Sequence, residues 1–460
     1  HLGYAMGRRG QEKDADILKF DLAGNIARTS HYPQSKYFLD RCDEIGLLVF
    51  EEIPGWQHIG GDAWKAESVQ NVRRMIERDW NHPSIIIWGV RINESQDSHD
   101  FYVETNAMAR SLDTTRQTGG VRYITDSELL EDVYTMNDFI LGMEELPGHN
   151  RERLVLRDQR EVTGLDRKVP YMITEYGGHM YPTKRFDQEQ RQAEHVGRHL
   201  AILNAAAGDP SISGSTGWCM FDYNTHKDFG SGDRICYHGV TDMYREPKFA
   251  GYAYASQGDP KGGVVMQPVS FWARGERNIG GVLPLIVLTN CDYVEIRMGH
   301  IVKRIEPDTK TYPHLPHPPC ILDHSMVTPE EFGEWGMTWR DGELVGFING
   351  EEVVRRHLPA DPLPTTLEIA ADDTELRAGE KDTVRVILRA LDQGGNVLSF
   401  FDDPVEVSLQ GPGRIVGPSL LSFKGGAVGV YVEAGNEAGH LTLSATCRPF
   451  GTQRITFNVT

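Results

Sequence analysis

The fold is decided by the stretch Asn81–Ser95, which reads NHPSIIIWGVRINES. It opens with a turn signal, continues through β-branched and aromatic residues, and ends with an amide next to a carboxylate. A continuous apolar run of this kind predicts a strand that is buried on both faces, as in a parallel sheet. In a barrel of parallel strands, the loops at the carboxyl ends of the strands carry the active site. The stretch therefore predicts such a barrel and makes Glu94 the first catalytic candidate.

Residues 1–257 alternate short apolar strands with helical stretches. Besides the Glu94 strand, strand candidates lie at residues 24–30, 47–52, 119–124, 132–137, 171–176 and 216–223. The stretch Ala63–Trp80 between two of them is amphipathic, as a helix covering a sheet would be. Alternation of this kind predicts a parallel sheet with right-handed crossovers. Seven strands are one fewer than a (β/α)8 barrel needs, so the predicted catalytic domain is an α/β TIM barrel that lacks its first strand in this chain.

The composition changes beyond residue 257. Residues 256–263 are rich in glycine, proline and charge and indicate a linker, and the apolar pattern then changes to a period of two. A second proline-rich break covers residues 358–364. We therefore expect two all-β, immunoglobulin-like sandwich domains of about a hundred residues each, at residues 264–360 and 363–460.

Composition excludes several kinds of partner. The formal charge of −19 over 460 residues argues against nucleic acid. No apolar run reaches the roughly 20 residues of a membrane-spanning helix. The six cysteines have no CxxC spacing, which predicts neither a zinc cluster nor a disulfide scaffold and favours a reducing compartment such as the cytoplasm over the periplasm or secretion. His1 is not a natural start, so a targeting sequence or an upstream domain would lie outside this sequence.

A second carboxylate candidate, Glu175, lies at the end of the strand candidate at residues 171–176 and is followed by two glycines. If this strand is the seventh and the Glu94 strand the fourth of a barrel, both carboxylates face the same mouth. Glycoside hydrolysis needs such a pair, because one carboxyl group protonates the leaving oxygen while the other attacks the anomeric carbon or activates water. The pair predicts a glycoside hydrolase.

Four motifs occur in order along the barrel: Arg28–Pro33 (RTSHYP), Asn81–Ser84 (NHPS) with Asn93–Glu94, Ile173–Gly177 (ITEYG), and Gly217–Trp218 with Arg245–Lys248 (REPK). Together they resemble glycoside hydrolase family 2, the family of β-galactosidases, β-glucuronidases and β-mannosidases. The later domains resemble that family's C-terminal immunoglobulin-like modules. The resemblance implies a retaining exo-β-glycosidase in which Glu94 is the general acid/base and Glu175 the nucleophile, with carboxyl groups roughly 5 Å apart.

The resemblance also implies substrate contacts. Asn93 would hold the sugar 2-hydroxyl through bonds that strengthen as charge develops at the anomeric carbon. Arg28 would lie beside Glu175 and keep it ionised. His31 and Trp218 resemble the family's sugar contacts, and an indole ring suits the apolar face of a pyranose.

The sequence departs from the family at three places. The loop that carries a magnesium-binding glutamate and histidine in the family's β-galactosidases here has Trp56 in place of the glutamate, followed by His58. We therefore expect no obligatory metal or other cofactor, and assign Trp56 and His58 to the substrate subsite. The preceding Glu51 and Glu52 are interpreted as a solvated loop that helps to position Arg28 or His58. The family's tyrosine beside the nucleophile has no counterpart in register within residues 132–139.

A third loop bears on which sugar is bound. Family glucuronidases hold the substrate carboxylate with an Asn-x-Lys pair, where this chain has Cys236-Tyr237-His238. Without the lysine a β-galactosidase is favoured, acting on an oligosaccharide or other β-glycoside; β-glucuronidase and β-mannosidase are the alternatives. A further alternative of another class is a carbohydrate-binding or inactive fragment, because we expect an upstream sugar-binding domain in the full-length protein. Formation of a homo-oligomer is left open.

Overall fold

The computed structural model describes residues 6–148, 152–273, 281–328, 331–332 and 339–460. The chain divides into two compact units. The barrel unit comprises Asp14–Pro182 and Arg198–Met220, and the β-rich unit comprises His1–Lys13, Thr183–Gly197 and Phe221–Thr460. The α-helices are α1 (Arg8–Asp16), α2 (Lys36–Ile45), α3 (Asp62–Asp79), α4 (His99–Leu112), α5 (Gln159–Thr163), α6 (Glu189–Gly208) and α7 (Phe249–Ala255). In the described part of the chain, no helix is both long and apolar enough to span a membrane.

The barrel unit is built on a seven-stranded parallel sheet in which each strand pairs with the next along the chain. Its strands are β1 (Ile26–Thr29), β2 (Leu48–Glu52), β3 (Ile85–Gly89), β4 (Gln117–Arg122), β5 (Val133–Asn137), β6 (Tyr171–Glu175) and β7 (Ile212–Ser215). Within the described residues, β1 and β7 are the edges of this sheet. The predicted α/β fold with a parallel sheet of seven strands is confirmed.

Both faces of the sheet are buried, which is why its strands read as continuous apolar runs. One face forms an inner cluster from alternate residues of neighbouring strands: Phe50, Ile87, Val121, Val133 and Met172. The other face packs against helices, among them α3, whose buried residues include the predicted apolar side. This packing fixes the strand ends from which the functional loops emerge.

Two strand predictions are wrong in their bounds. β3 ends at Gly89, so Asn93 and Glu94 lie in the following loop. A Cβ atom at Gly89 would lie 2.6 Å from Cγ of Glu52, so only glycine allows β3 to pass so close to β2 there. The last strand is Ile212–Ser215, upstream of the predicted residues 216–223. The strand β7 has the sequence ISGS, which lacks the apolar run on which the prediction relied. Its backbone groups nevertheless pair with β6.

The β-rich unit contains one small hairpin and two modules, each made of two sheets. The hairpin is β8 (Tyr223–Asn224) with β9 (Ile235–Cys236), and the strands of the first module are β10 (Met266–Pro268), β11 (Leu285–Thr289), β12 (Tyr293–Met298), β13 (Ile301–Ile305), β14 (Cys320–Leu322), β15 (Gly342–Ile348) and β16 (Glu351–Leu358). They form a three-stranded sheet, β10-β11-β14, and a four-stranded sheet, β13-β12-β15-β16. All their pairs are antiparallel, and buried residues of both sheets share one hydrophobic core.

The second module repeats this architecture. Its strands are β17 (Thr366–Ala371), β18 (Glu375–Leu376), β19 (Thr383–Leu391), β20 (Pro404–Gln410), β21 (Gly413–Val416), β22 (Leu420–Ser422), β23 (Ala427–Ala434), β24 (Gly439–Cys447) and β25 (Gly451–Val459). They form a four-stranded sheet, β17-β19-β23-β21, and a five-stranded sheet, β18-β25-β24-β20-β22, around a separate core. The prediction that all-β sandwiches follow the α/β barrel is confirmed.

Candidate active site

Arg28 is the centre of a buried hydrogen-bonded cluster at the carboxyl ends of β1, β2 and β6. Its Nε and Nη2 atoms donate to the two carboxylate oxygens of Glu52, Nη2 at 3.1 Å. Nη1 donates to Oε1 of Glu175 at 2.5 Å, and Nη2 also donates to Oδ1 of Asn93 at 2.7 Å. The side chains of Arg28, Glu52 and Glu175 are at most 6% exposed, so their charges interact in a region of low dielectric constant.

The guanidinium group faces two carboxylates, whose pKa values depend on burial as well as on this cation. Burial raises the pKa of Glu175 to about 7; the charge of Arg28 opposes the shift and the charge of Glu94 adds to it. Burial likewise raises the pKa of Glu52 against the influence of Arg28. The expected contact between Arg28 and Glu175 is present, but burial outweighs the cation. Glu175 therefore changes its charge close to neutral pH.

Glu94 has different surroundings. It is half-buried in the loop after β3, and its backbone is in the left-handed region, with φ at 52°. Its Oε1 atom accepts a hydrogen bond from Nδ2 of Asn137 at 3.0 Å. Its Oε2 atom accepts from Nε1 of Trp56 at 3.1 Å and from Nε2 of Gln57 at 3.2 Å. All three donors are neutral, so Glu94 is oriented by hydrogen bonds rather than by an ion pair.

Asn137 connects the two glutamates. It is the last residue of β5, and its Oδ1 atom accepts from Oγ1 of Thr174 at 2.9 Å. Thr174 directly precedes Glu175, whose backbone oxygen accepts from the amide of Asp138 at 2.8 Å. Through Asn137, the loop that carries Glu94 is hydrogen-bonded to the end of β6, directly before Glu175. This arrangement can place an acid and a nucleophile on one substrate.

His31 and Trp218 form a wall in the same unit. Their rings stack with centroids 5.3 Å apart and planes at 14°. Burial and the charge of Arg28 together lower the pKa of His31 to about 3. Nδ1 of this neutral imidazole lies 3.3 Å from Nη2 of Arg28 and accepts its hydrogen, which leaves Nε2 as the protonated nitrogen. The wall thus offers a ring face and an N–H donor, both suited to a sugar.

Asn93 has spare donor capacity. Its side chain is 1% exposed, and among the described residues its Nδ2 atom has no hydrogen-bond partner. Leaving a buried donor unpaired costs about 1–3 kcal/mol, which an incoming hydroxyl group could recover. Because Arg28 holds the amide oxygen, the orientation of the NH2 group is fixed.

The two remaining predicted subsite residues behave differently. Trp56 is 51% exposed and reaches Glu94 with its indole N–H, as a subsite wall would. His58 is exposed, and its ring contacts Trp64 with centroids 5.8 Å apart. Within the described residues His58 makes no hydrogen bond to either glutamate. Its assignment to the substrate subsite stays a prediction.

Both carboxylate oxygens of Glu94 accept hydrogen bonds from neutral N–H groups, one of them from Trp56, which stands where the resemblance places a magnesium-binding glutamate. That no metal is obligatory here stays a prediction. Elsewhere in the described chain, Asp40, Asp43 and His82 lie close enough together to hold an ion. Asp43 there accepts hydrogen bonds from His82 at 2.7 Å and from the amide of Ser84 at 2.9 Å, contacts that anchor the start of β3.

The sequence analysis missed two of these residues. Glu52 was assigned to a solvated loop, but both Glu51 and Glu52 are buried in β2. The alternation of side chains along β2 could have predicted this burial. Phe50 and Glu52 share the inner face of the barrel, whereas Glu51 faces Arg78 of α3. Asn137 has no comparable signal, since an asparagine at a strand end is usually a turn residue.

Two family models match separate parts of the chain. Residues 1–254 match the model described as glycosyl hydrolases family 2, TIM barrel domain. Residues 367–456 match the model described as glycoside hydrolase family 2 C-terminal domain 5.

Individual proteins are also similar. A β-galactosidase of Thermoanaerobacterium thermosulfurigenes is 58% identical over 429 residues, which are 93% of this chain and 59% of that protein. A β-galactosidase of Rhizobium meliloti is 56% identical over 437 residues, covering 93% of this chain and 57% of that protein. The crystal structure of a β-glycosidase from Bacteroides vulgatus shares the fold, with a TM-score of 0.76 at 18% identity over 99% of this chain and 62% of that one. The chain thus spans somewhat more than half the length of these β-galactosidases.

Proposed function

This chain belongs to glycoside hydrolase family 2, and from that premise we propose that it is the catalytic part of a retaining exo-β-glycosidase of the β-galactosidase type. Its substrate is an oligosaccharide or other β-glycoside with a terminal β-linked sugar. The observation that carries the proposal is the contrast between the two glutamates: Glu175 is buried against a cation, whereas Glu94 is half-buried among neutral donors. A nucleophile and a general acid need such different environments.

In the first step Glu175 attacks the anomeric carbon. The bond from that carbon to the leaving oxygen breaks, and Glu94 gives its proton to this oxygen. The Oε1 atom of Glu175 is held by Arg28, which leaves the other carboxylate oxygen for attack. Positive charge develops on the sugar in the transition state and is stabilised by the carboxylate of Glu175, while the pairing of Arg28 with Glu52 reduces the repulsion from the guanidinium.

In the second step Glu94 acts as a base. It takes a proton from water, whose oxygen attacks the anomeric carbon and releases Glu175. The N–H groups of Asn137, Trp56 and Gln57 all donate to Glu94 and hold its carboxyl group in one orientation in both steps.

Substrate is positioned by the residues between the glutamates. The Nδ2 atom of Asn93 donates to the 2-hydroxyl, a bond that strengthens as the sugar becomes cationic. Nε2–H of His31 donates to a further hydroxyl, and Trp218 covers an apolar face of the ring. These contacts would lower the barrier only to the extent that they improve in the transition state.

A trapping experiment tests the roles of the two acids. A 2-deoxy-2-fluoro-β-galactoside with a good leaving group should accumulate as a covalent adduct, and mass spectrometry of the peptides should find the sugar on Glu175. The Glu175→Gln variant should not be labelled. Labelling of another residue, or turnover with inversion at the anomeric carbon, would overturn the proposal.

Rates on nitrophenyl β-galactoside, β-glucuronide and β-mannoside, measured side by side, test the sugar. The Cys236-Tyr237-His238 sequence lacks the lysine of the glucuronidase motif, and we expect the galactoside to be preferred. The assay is run on this chain and on a longer chain that includes the upstream region, because an upstream sugar-binding domain and a homo-oligomer are part of the same proposal. Binding of sugar without turnover in both chains would favour the carbohydrate-binding alternative.

A further inference from the structure

The β-rich unit contains a cavity with a volume of about 290 Å³. Its wall is formed by residues preceding and within α7, by β10, by the end of β16 and by the turn at residues 392–400. The aromatic side chains of Tyr252, Phe271 and Phe400 contribute to the lining. Binding pockets start at about 300 Å³, so this cavity suits a molecule of monosaccharide size. Glu94 and Glu175 belong to the other unit.

Cations outnumber acids in the lining of this cavity, in a chain whose formal charge is −19. The lining contains four cations and two carboxylates: Arg185, Lys248, Arg356 and Arg389, and Glu246 and Asp392. Three of the cations are paired: Arg185 with Asp242, Lys248 with Asp222, and Arg389 with Glu246. Arg356 is the exception.

Arg356 has only neutral hydrogen-bond partners. Its Nε atom donates to Oδ1 of Asn396 and its Nη1 atom donates to Oε1 of Gln267, both at 2.7 Å. Among the described residues, no carboxylate oxygen lies within ion-pair distance of its guanidinium. Burial lowers the pKa of Arg356, and the nearby Tyr252 and Asp392 offset this shift only in part. The carboxylate of Asp392 instead accepts hydrogen bonds from Gly394 and Asn396.

The geometry leaves one end of the guanidinium open for a ligand. Among the residues that the structure describes, Nη2 makes no hydrogen bond and Nη1 makes one, so N–H groups on both atoms can form the fork with which arginine binds two oxygens of a carboxylate or phosphate. The two amide partners fix the plane of this fork. An unpaired buried cation is costly, and an anionic ligand would supply the missing charge.

We propose that this cavity is a binding site for a small oxyanion, a carboxylate- or phosphate-bearing molecule of about monosaccharide size, with Arg356 as its anchor. The aromatic residues of the lining contact the body of the ligand, and the paired cations add a favourable field. Arg355, the preceding residue on β16, is exposed and pairs with Glu343 and Glu352 on the strand surface. It provides a matched control for the loss of one arginine from this strand.

The test is isothermal titration calorimetry of the wild-type chain with glucose, glucuronate, glucose 6-phosphate and inorganic phosphate at constant ionic strength. We expect one-to-one binding of at least one anion with a Kd of about 1 mM or lower, and no binding of glucose. Glucuronate and glucose 6-phosphate distinguish carboxylate from phosphate recognition. Arg356→Gln should weaken anion binding by about tenfold or more, whereas Arg355→Gln should leave it unchanged.

Two further measurements separate binding from folding. Arg356→Lys keeps the charge but loses the fork, so it should bind the anion with intermediate affinity. The anion should raise the Tm of the wild-type chain and of Arg355→Gln but not that of Arg356→Gln. Absence of binding by all three anions at about 10 mM, or equal binding by the Arg355 and Arg356 variants, would overturn the proposal. A lower Tm of Arg356→Gln with unchanged anion affinity would assign Arg356 a structural role only.

Discussion

Glu175 and Glu94 are the same residue type in the same unit, yet their surroundings differ in charge and exposure. Glu175 is 4% exposed and bound to a guanidinium, whereas Glu94 is half-buried among the N–H groups of an amide, an indole and a second amide. Both side chains are held by hydrogen bonds, but only Glu175 has a buried cation as its partner. The comparison teaches that the two surroundings differ, as the proposed roles of nucleophile and acid/base require, while the roles themselves follow from the family motifs.

The largest expected effect comes from removing the nucleophile. Glu175→Gln should lower kcat by at least about 10⁴-fold, because no covalent intermediate can form. The matched control is Glu51→Gln at the end of β2. Glu51 is the neighbouring carboxylate of the same strand, but it faces Arg78 and Asp79 instead of Arg28, so its replacement tests the loss of one buried carboxylate away from the proposed nucleophile. Steady-state rates of both variants, with Tm as a check on folding, test whether Glu175 is the nucleophile. Equal losses of kcat in the two variants would contradict that role.

Removing the acid should have an effect that depends on the leaving group. Glu94→Gln should slow hydrolysis of alkyl β-galactosides by about 10³-fold but largely spare glycosylation by dinitrophenyl galactosides, whose leaving groups need no proton. Pre-steady-state bursts measure the first step separately from the second. The same loss with both kinds of substrate would argue against a general acid at this position.

The protonation of Glu175 predicts the acid side of the pH profile. Burial raises the pKa of Glu175 to about 7, and only its ionised form can attack, so kcat/KM should fall as the pH drops through 7. The loss should approach about tenfold for each pH unit below that value. A profile that stays flat down to pH 5 would mean that Arg28 keeps Glu175 ionised in the free enzyme.

Removing Asn137, which donates a hydrogen bond to Glu94, should lower the rate less than removing either glutamate. Asn137→Ala removes the hydrogen bond to Oε1 of Glu94 while Trp56 and Gln57 remain, so kcat should fall by about tenfold with little change in KM. Gln96→Ala removes an exposed hydrogen bond to Tyr123 and is the control. A change in KM alone would indicate that Asn137 binds substrate instead of positioning Glu94.

The smallest effect is expected for a change at Glu52, the second carboxylate that pairs with Arg28. Glu52 raises the pKa of Glu175, so Glu52→Gln should move the acid limb of kcat/KM to lower pH. At pH 8 the rate should change by less than about tenfold, because Glu175 is ionised there in either protein. Glu51→Gln should leave the limb in place. A shift to higher pH would show that loss of the Glu52 contact displaces Arg28.

Most of the fold could be predicted from apolar patterning. The strand candidates at residues 47–52, 132–137 and 171–176 agree with β2, β5 and β6 because a strand buried on both faces leaves an uninterrupted apolar run. The stretch after β3 could not be bounded in this way. Its apolar residues Val90 and Ile92 are buried in a loop, and burial alone does not distinguish a loop from a strand.

The sequence by itself determined that Glu94 and Glu175 follow two separate strands of one parallel sheet, at the same edge of that sheet, since strand order and motif order are written along the chain. Only the tertiary structure decided which groups surround them. The contacts of Arg28 with Glu52, Asn93 and Glu175 join residues up to 147 positions apart, and the pairing of Asn137 with Glu94 spans 43 positions. Side-chain partners at such separations depend on strand register and on depth of burial, and no local pattern encodes either of them.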